Sequence, residues 1–304
     1  MKTVLITGAS GLIGSQLTRH LLSRKYTVHT LTRNKKMFKH KNVHPFEWDI
    51  EKGTMEPAAL EGVEAIIHLA GAGVAEKRWS EERKKELSES RLKSTRLLYD
   101  FLQQYPHTVK TIISASAVGY YGDRGAEVLN EEMPPGDGFL AELCRKWEDE
   151  VMRFAKIGVR EVRCRIGIVL ASAGGALPEL IKTLPLGFVP YFDKKELYYP
   201  WIHIDDVCGI MLYALENENL SGAFNVTAPA PLPMKALMQK VLEVKSSRAM
   251  LVPAPPVVIR LAMGEMSEML LSSERCSAQK IQQAGYRFQY PDAISALKQI
   301  FGKN

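Results

Sequence analysis

The sequence VLITGASGLIG, residues 4–14, decides the fold of this 304-residue chain. Its first part, Val4–Thr7, is a short apolar run bounded by glycine, which is typical of a buried strand. After the glycines, Leu12–Arg24 places its apolar residues near one side of a predicted helix. The chain therefore begins with a strand, a glycine-rich turn and a helix.

Three glycines in this turn have the spacing GxxGxxG of a dinucleotide-binding loop. Gly8 allows the tight turn, Gly11 lets the backbone approach a pyrophosphate, and Gly14 lets the helix pack closely on the strand. The free N–H groups of the helix N-terminus then bind the phosphates, although a glycine-rich turn without a ligand is the alternative. The loop residues predicted to hold a dinucleotide are Gly8, Ser10, Gly11, Leu12, Ile13 and Gly14.

Strand-like and helical segments alternate through the rest of the first half of the chain. This pattern predicts an α/β fold with a doubly wound parallel sheet of the Rossmann type. Ser80 is the expected N-cap of a long helix, and Gly158 suits the end of a later one. The predicted strands are Val28–Thr32, His44–Trp48, Ala65–Ala70, Thr111–Ala115 and Glu161–Leu170, and the helices are Ser80–Tyr105 and Leu140–Ile157.

The pattern changes after Gly174, where frequent prolines divide the chain into short elements. One more strand is predicted at Gly222–Val226, and a small helical unit begins near Pro253. We expect a dinucleotide-binding domain over residues 1–220, interrupted by lobe segments after about residue 171, and a helical domain over residues 248–295. The later elements form a smaller C-terminal substrate lobe that leaves a cleft against the first domain.

The end of the second strand indicates which dinucleotide binds. NAD sites usually place an acidic residue there to bind the ribose hydroxyls, but this chain has Thr32 and Arg33 and no acid before Glu47. A hydroxyl and a guanidinium suit a 2′-phosphate. We therefore predict NADP in preference to NAD, with a solvated basic turn as the alternative.

Two further segments follow strands that should end at the same edge of the sheet. Asp49 either reaches the adenine amino group or forms a turn. Leu69, Ala70 and Gly71 follow the fourth strand, and the small residues among them suit close passage of the cofactor's ribose.

Composition limits the classes of function. An apolar fraction of 46% and a charged fraction of 24% are ordinary for a soluble protein. No apolar run reaches the roughly 18 residues of a membrane helix. The basic residues 35–41 suit a solvated loop or a cofactor site better than a nucleic-acid surface. The four cysteines, Cys144, Cys164, Cys208 and Cys276, lack the spacing of metal ligands. We therefore expect reduced thiols, no metal site and a cytoplasmic location.

Several later motifs narrow the class of protein. They are Lys77-Arg78-Trp79, Ser90-Arg91, SASAVGYYGD at 114–123, Trp147-Glu148, GGALP at 174–178 and WIHIDD at 201–206. In combination they resemble the extended short-chain dehydrogenase/reductases, and specifically an atypical "epimerase family" branch with a C-terminal domain of unknown function. The resemblance covers nearly the whole chain.

The resemblance also implies cofactor contacts beyond the glycine loop. One of them, Arg91, either meets a phosphate or forms a salt bridge with Glu86 or Glu89. The contacts implied by the resemblance are Thr32, Arg33, Leu69, Ala70, Glu86, Arg91 and Val169.

Working members of this superfamily use a Tyr-x-x-x-Lys pair to transfer a proton and a serine to orient the substrate oxygen. Ser116 matches the serine, but Phe139 and Leu143 occupy the places of the tyrosine and lysine. Tyr120 and Tyr121 are the candidates for a replacement acid; the alternative is that both are packed aromatic residues.

His203 is expected to form a hydrogen bond between domains, and Asp205 or Asp206 is expected to cap a helix. Two function hypotheses follow. The first is an NADP-dependent oxidoreductase or epimerase-like enzyme acting on an unknown small, sugar-like or carbonyl substrate. The second is an NADP(H)-binding regulatory or sensor protein without catalysis. A homodimer paired through the two long helices is left open.

Overall fold

The computed structural model describes residues 2–302. The predicted elements of the first half occur with ends shifted by one or two residues, apart from the last helix and strand. In chain order they are β1 (Thr3–Thr7), α1 (Leu12–Ser23), β2 (Thr27–Thr32), β3 (Val43–Asp49), β4 (Thr54–Met55), β5 (Val63–His68), α2 (Glu81–Gln104), β6 (Thr111–Ala117), β7 (Val128–Leu129), α3 (Phe139–Met152) and β8 (Arg160–Ile166).

The second half consists of shorter elements, as the prolines predicted. They are β9 (Ile168–Ala171), β10 (Gly174–Gly175), α4 (Ala176–Leu180), β11 (Phe188–Phe192), β12 (Tyr198–Tyr199), β13 (Trp201–His203), α5 (Ile204–Glu216), β14 (Gly222–Val226), β15 (Leu232–Pro233), α6 (Met234–Lys245), β16 (Met250–Ala254), α7 (Pro256–Met263), α8 (Glu268–Leu271), β17 (Arg275–Cys276), α9 (Gln279–Gln283) and α10 (Ala293–Ile300). None of the helices in residues 2–302 has the length and apolarity to cross a membrane.

An eight-stranded sheet has the order β14-β8-β6-β5-β1-β2-β3-β4, and only the short β4 runs antiparallel to its neighbour. The order reverses between β1 and β5, because the chain fills one side of β1 first and then crosses to the other. Ligands of doubly wound sheets bind at such a reversal. The prediction of a doubly wound α/β fold is confirmed.

Alternate side chains of β1 point to opposite faces of the sheet, as strand geometry requires. Val4 and Ile6 pack in a cluster with Leu17 and Leu21 of α1, whereas Leu5 packs in another with Leu98 of α2. The sheet is therefore covered by helices on both faces, and both layers of the core fix the position of the loop after β1.

The prediction of one strand over Glu161–Leu170 is wrong, because the chain leaves the large sheet at Gly167. β9 continues instead in a three-stranded sheet with β10 and β13. A Cβ atom at Gly167 would lie 1.9 Å from the Pro200 carbonyl oxygen, so only glycine permits this crossing. The helix predicted to reach Ile157 ends at Met152 and continues as a 3₁₀ turn.

The elements from α7 to α10, which we call the C-terminal unit, contact α5 and the residue before it through polar groups. Nε2 of His203 lies 2.9 Å from the side-chain oxygen of Gln299 in α10, so the hydrogen bond expected of this histidine is present. His203 is also the N-cap, because its Nδ1 accepts the Asp205 N–H, so the expected aspartate cap is wrong. Asp206 is instead fully buried and accepts hydrogen bonds from the Tyr286 hydroxyl and from the N–H groups of Gln289 and Tyr290.

Replacing Asp206 tests whether this carboxylate holds the C-terminal unit. Asp206→Asn turns an amide N–H₂ group toward buried donors, so we expect a loss of about 3 kcal/mol in the free energy of unfolding, measured in urea. Asp205→Asn is the matched control, since Asp205 accepts its side-chain hydrogen bond from Gln16 at a partly exposed site. Equal losses in the two variants would contradict the assignment.

Candidate functional site

The glycine loop is packed directly against the main chain that follows β5. Gly8 has φ +70°, and a Cβ atom there would lie 2.8 Å from the Leu69 carbonyl oxygen. A Cβ atom at Gly14 would lie 2.2 Å from the Gly8 carbonyl oxygen. Both positions therefore require glycine, and they bring the loops after β1 and β5 together at the reversal of strand order.

The first N–H groups of α1 have no hydrogen-bond partner within residues 2–302. Gly11 is the N-cap and offers no side chain to accept a hydrogen bond, and the first turn contains no acidic residue. Ser10 is exposed beside it and makes no side-chain hydrogen bond within residues 2–302. Free N–H groups and the helix dipole together favour an anion at this position.

A chain of buried side chains fixes the loop after β5. The Thr7 hydroxyl oxygen accepts the N–H groups of Leu69 and Ala70, so its own proton goes to Nδ1 of His68, 2.7 Å away. The Thr95 hydroxyl donates to the Arg91 carbonyl and so accepts from Nε2 of His68. These roles assign the Nε2–H tautomer.

Burial keeps the His68 imidazole neutral, as the hydrogen bonds require. Its side chain has no exposed surface, and burial, aided by the charge of Arg91, lowers its pKa to about 3. The sequence analysis missed Thr95, which lies far along α2 and carries no local sequence signal.

The predicted 2′-phosphate site after β2 is open. Arg33 is exposed and has no hydrogen-bond or ion-pair partner within residues 2–302. The Thr32 hydroxyl accepts a hydrogen bond from the N–H group of Asn34, which shapes the turn.

Asp49 accepts hydrogen bonds from the N–H groups of Glu51 and Lys52 through one carboxylate oxygen. It therefore forms a turn, which was one of the two roles predicted for it.

Arg91 lies at the other side of the β5 loop. Its guanidinium donates to the carbonyls of Leu87 and Ala72, and Ser90 accepts the Ala72 N–H. No carboxylate within residues 2–302 forms an ion pair with it. The alternative of a salt bridge from Arg91 to Glu86 or Glu89 is therefore wrong: Glu86 pairs with Arg83, and Glu89 pairs with Lys85 and Lys93.

Apolar members of the predicted cofactor set converge beside the glycine loop. Ile13, Leu69 and Val169 pack against one core cluster. The Leu12 side chain lies 3.5 Å from the position of a Cβ atom at Gly174, close to β9. The structure therefore brings residues from the loops after β1 and β5 and from β9 into one wall.

Ser116 is committed to a buried ionic network. Its hydroxyl donates to Glu148 at 2.7 Å, and Glu148 forms two hydrogen-bonded contacts with Arg165, at 2.8 and 2.9 Å. A carboxylate paired in this way accepts hydrogen bonds and donates none. Ser116 can therefore accept a hydrogen bond from a ligand, but its one proton is already used.

The two candidate tyrosines have different surroundings. Tyr121 is fully buried; its hydroxyl donates to Asn225 and accepts from Arg165, and burial raises its pKa. Tyr120 is half-buried, with the Arg165 guanidinium 3.5 Å from its ring centre. Sequence reasoning did not find Arg165, although Glu148 stood in one of the quoted motifs.

Apolar side chains stand at the two positions where the superfamily usually has the tyrosine and the lysine. Phe139 contacts Trp79 edge to face, with ring centres 5.1 Å apart, and Leu143 is 3% exposed. Both belong to a cluster with Leu87 of α2 and Met266 of the C-terminal unit. A lysine at position 143 would be buried among these side chains without a partner.

A cleft of about 560 Å³ lies beside this cluster. We call it the C-terminal cleft, because one wall is formed by the C-terminal unit and the other by the first turns of α2 and α3. Among the cationic side chains that line the cleft, Arg260 forms no ion pair with any residue that the structure describes. The lining residues are Lys84, Asp123, Phe139, Lys194, Arg260, Gly264, Glu265, Ser267, Glu268, Leu271 and Ser272.

The fold and the glycine loop define a Rossmann protein of the class that binds nicotinamide dinucleotides. Residues 4–143 match the model of the NAD dependent epimerase/dehydratase family, and residues 254–300 match a domain of unknown function, DUF1731. The chain is 33% identical over 300 residues to the epimerase family protein YfhF of Bacillus subtilis, covering 98% of this chain and 97% of the other. A Mycobacterium tuberculosis epimerase family protein, MT2273, is 34% identical over 295 residues, covering 97% and 96%.

Solved structures agree with these relatives. The crystal structure of human epimerase family protein SDR39U1 with NADPH has a TM-score of 0.85 and 28% identity, covering 98% of each chain. A UDP-glucuronic acid 4-epimerase from Bacillus cereus shares the fold, with a TM-score of 0.80 at 16% identity. This chain belongs to the epimerase family.

Replacing His68 tests its neutral state. The unfolded chain binds a proton at His68 near pH 6.5 and the folded chain only near pH 3, so stability is lost as pH falls through this range. The expected loss is on the order of 4 kcal/mol. His68→Asn, which keeps an acceptor near Thr7, should remove this part of the pH dependence in urea titrations. His44→Asn, at an exposed position, should retain it; identical pH profiles for His68→Asn and the native protein would exclude the assignment.

Proposed function

We propose that this protein is an NADP(H)-dependent oxidoreductase or epimerase-like enzyme acting on a small, sugar-like or carbonyl substrate. The observation that carries the proposal is the glycine loop at the reversal of strand order, where the N-terminus of α1 has no side-chain cap and no acidic residue in its first turn. Ser116 lies in β6, which pairs with β5 beside this reversal. A hydroxyl that can accept a hydrogen bond from a substrate therefore lies two strands away from the strand that ends in the glycine loop.

The residues present fit a nicotinamide dinucleotide. The uncapped N-terminus of α1 suits the pyrophosphate, and the exposed Arg33 suits a 2′-phosphate. Arg91 is a largely buried cation without a carboxylate partner in the described chain, so a phosphate would satisfy its remaining donors. The human relative whose structure contains NADPH supports the choice of NADP over NAD.

Each part of the site then has a role. A nicotinamide dinucleotide bound at these loops would supply hydride chemistry. The loops after β1 and β5 orient it, and Ser116 accepts a hydrogen bond from a substrate hydroxyl. Tyr120 stays a candidate for contact with the substrate, whereas the hydroxyl of Tyr121 is held inside the network of Asn225 and Arg165.

One observation favours the second candidate function, an NADP(H)-binding regulatory protein without catalysis. Phe139 and Leu143 pack against the C-terminal unit where a proton relay would otherwise stand. Binding of the cofactor nearby would then be sensed through the contact between the two domains. The two functions make opposite predictions about NADPH consumption.

Arg33→Ala tests the cofactor assignment. We expect this change to weaken NADPH binding about tenfold and to leave NADH binding unchanged, because a guanidinium bound to a phosphate forms charge-assisted hydrogen bonds. The measurement is calorimetric titration of cofactor-stripped protein with both dinucleotides. Arg19→Ala, an exposed arginine of α1, is the control. An unchanged ratio of NADPH to NADH affinity in Arg33→Ala would refute the assignment.

Turnover separates the two functions. The oxidoreductase proposal predicts NADPH oxidation with at least one member of a carbonyl panel of phenanthrenequinone, benzaldehyde and glyceraldehyde. With glyceraldehyde, whose hydroxyl groups can donate to the Ser116 oxygen, it also predicts a tenfold or larger loss of that rate in Ser116→Ala. Tight NADPH binding without oxidation would favour the regulatory function.

A further inference from the structure

The exposed apolar side chains of this protein are concentrated in one part of the chain. Six of the ten large apolar side chains that are exposed within residues 2–302 belong to residue 186 or to residues 250–261. The six are Leu186, Met250, Val252, Val257, Val258 and Leu261. Single exposed apolar residues are ordinary on a protein surface, whereas a group of them marks a site of interaction.

The helix α7 turns its apolar side to solvent. Ile259 is buried, whereas Val257 and Leu261 are 62% and 77% exposed. These two residues stand two positions before and after Ile259, so at 3.6 residues per turn each lies about 160° round the helix from it. They therefore point almost directly away from the molecule. A helix that is apolar on nearly all sides is normally buried, but the outer side of α7 has no cover within residues 2–302.

The strand before α7 also has an apolar outer face. Leu251 of β16 packs against the core, so its neighbours Met250 and Val252 lie on the opposite face of the strand. The N–H group of Met250 donates to the Gly187 carbonyl, which places the exposed Leu186 at the same end of β16. We call the outer sides of α7 and β16, together with Leu186, the α7 surface.

The charge of the α7 surface is positive. Residues 244–264 contain three basic residues and no aspartate or glutamate. Two of the three, Arg248 and Arg260, are exposed, and their side chains have no hydrogen-bond or ion-pair partner within residues 2–302. The next acid along the chain, Glu265, forms an ion pair with Lys84. The surface therefore suits a partner that is both apolar and negatively charged.

We propose that the α7 surface binds to a lipid bilayer that contains anionic lipids. This inference does not depend on the proposed oxidoreductase function. α7 is about 12 Å long and the hydrocarbon core of a bilayer is about 30 Å thick, so the helix lies in the plane of the bilayer surface. Val257 and Leu261 then enter the boundary between headgroups and acyl chains, and Arg248 and Arg260 contact lipid phosphates.

A second copy of the chain fits the α7 surface less well. Stable protein interfaces contain about 20–30 residues from each side, whereas this surface offers six large apolar side chains. In a two-fold dimer each α7 surface would also face its own copy, so the unpaired Arg248 and Arg260 would meet equal charges. A bilayer supplies the negative charge and accepts a convex surface of any size.

The first measurement is sedimentation of the full-length protein with vesicles. We expect binding to vesicles of phosphatidylcholine mixed with phosphatidylglycerol, and at least fivefold weaker binding to phosphatidylcholine alone. Leu261→Asp should weaken binding about tenfold or more, because it places a charge in the apolar layer, and Arg260→Gln should weaken it about fivefold. Both side chains are exposed, so both variants should keep the native unfolding temperature.

Matched controls come from exposed positions elsewhere. Met152→Asp on α3 and Arg19→Gln on α1 make the same changes of charge and should bind vesicles as the native protein does. Failure of the native protein to sediment with the mixed vesicles would overturn the proposal. Equal binding by Leu261→Asp and the native protein would overturn it as well.

The second measurement locates α7 in the bound state. The four native tryptophans are buried, so Leu261→Trp adds an exposed reporter against a constant background. With the mixed vesicles its emission should shift to shorter wavelength and be quenched by brominated acyl chains. Vesicle binding without this shift would show that another surface is used. A shift caused by raising the protein concentration without vesicles would show that a second copy covers α7. Either result would contradict the proposal.

Discussion

The structure depends on the close approach of two loops, the turn at Gly8 and the main chain of Leu69 and Ala70. No Cβ atom fits between them, and the Thr7 hydroxyl accepts both N–H groups of the second loop. His68 must stay neutral for this hydroxyl to keep its orientation. The constraint holds β1 and β5 in register where the strand order reverses, and it leaves the N-terminus of α1 free for an anion.

A second constraint is the buried pair of Glu148 and Arg165. Removing one member of such a pair generally costs about 3–5 kcal/mol, because the other charge is left without a partner. The pair fixes Ser116 at the end of β6 and stacks Arg165 against Tyr120. Ser116, Glu148 and Arg165 therefore belong to one connected network, which explains why the hydroxyl of Ser116 has a fixed direction.

The C-terminal unit covers the positions of the usual tyrosine and lysine. It packs its methionines on Phe139 and Leu143, so the positions of the usual proton relay became part of an apolar interface. The same unit contributes Glu268, Leu271 and Ser272 to the C-terminal cleft.

The sequence by itself determined the doubly wound sheet and the glycine loop, because strand and helix periodicity and the need for glycine at positions 8 and 14 are local properties. It also identified Ser116 and the absent relay by position. Only the tertiary structure decided the break at Gly167, the lack of a carboxylate partner for Arg91 within residues 2–302, and the burial of Tyr121. The break depends on the Pro200 carbonyl and the burial of Tyr121 on Asn225, which both lie far away in the chain. Arg91 lacks a carboxylate because Glu86 and Glu89 pair with other cations of α2, a choice that spacing on the helix alone does not decide.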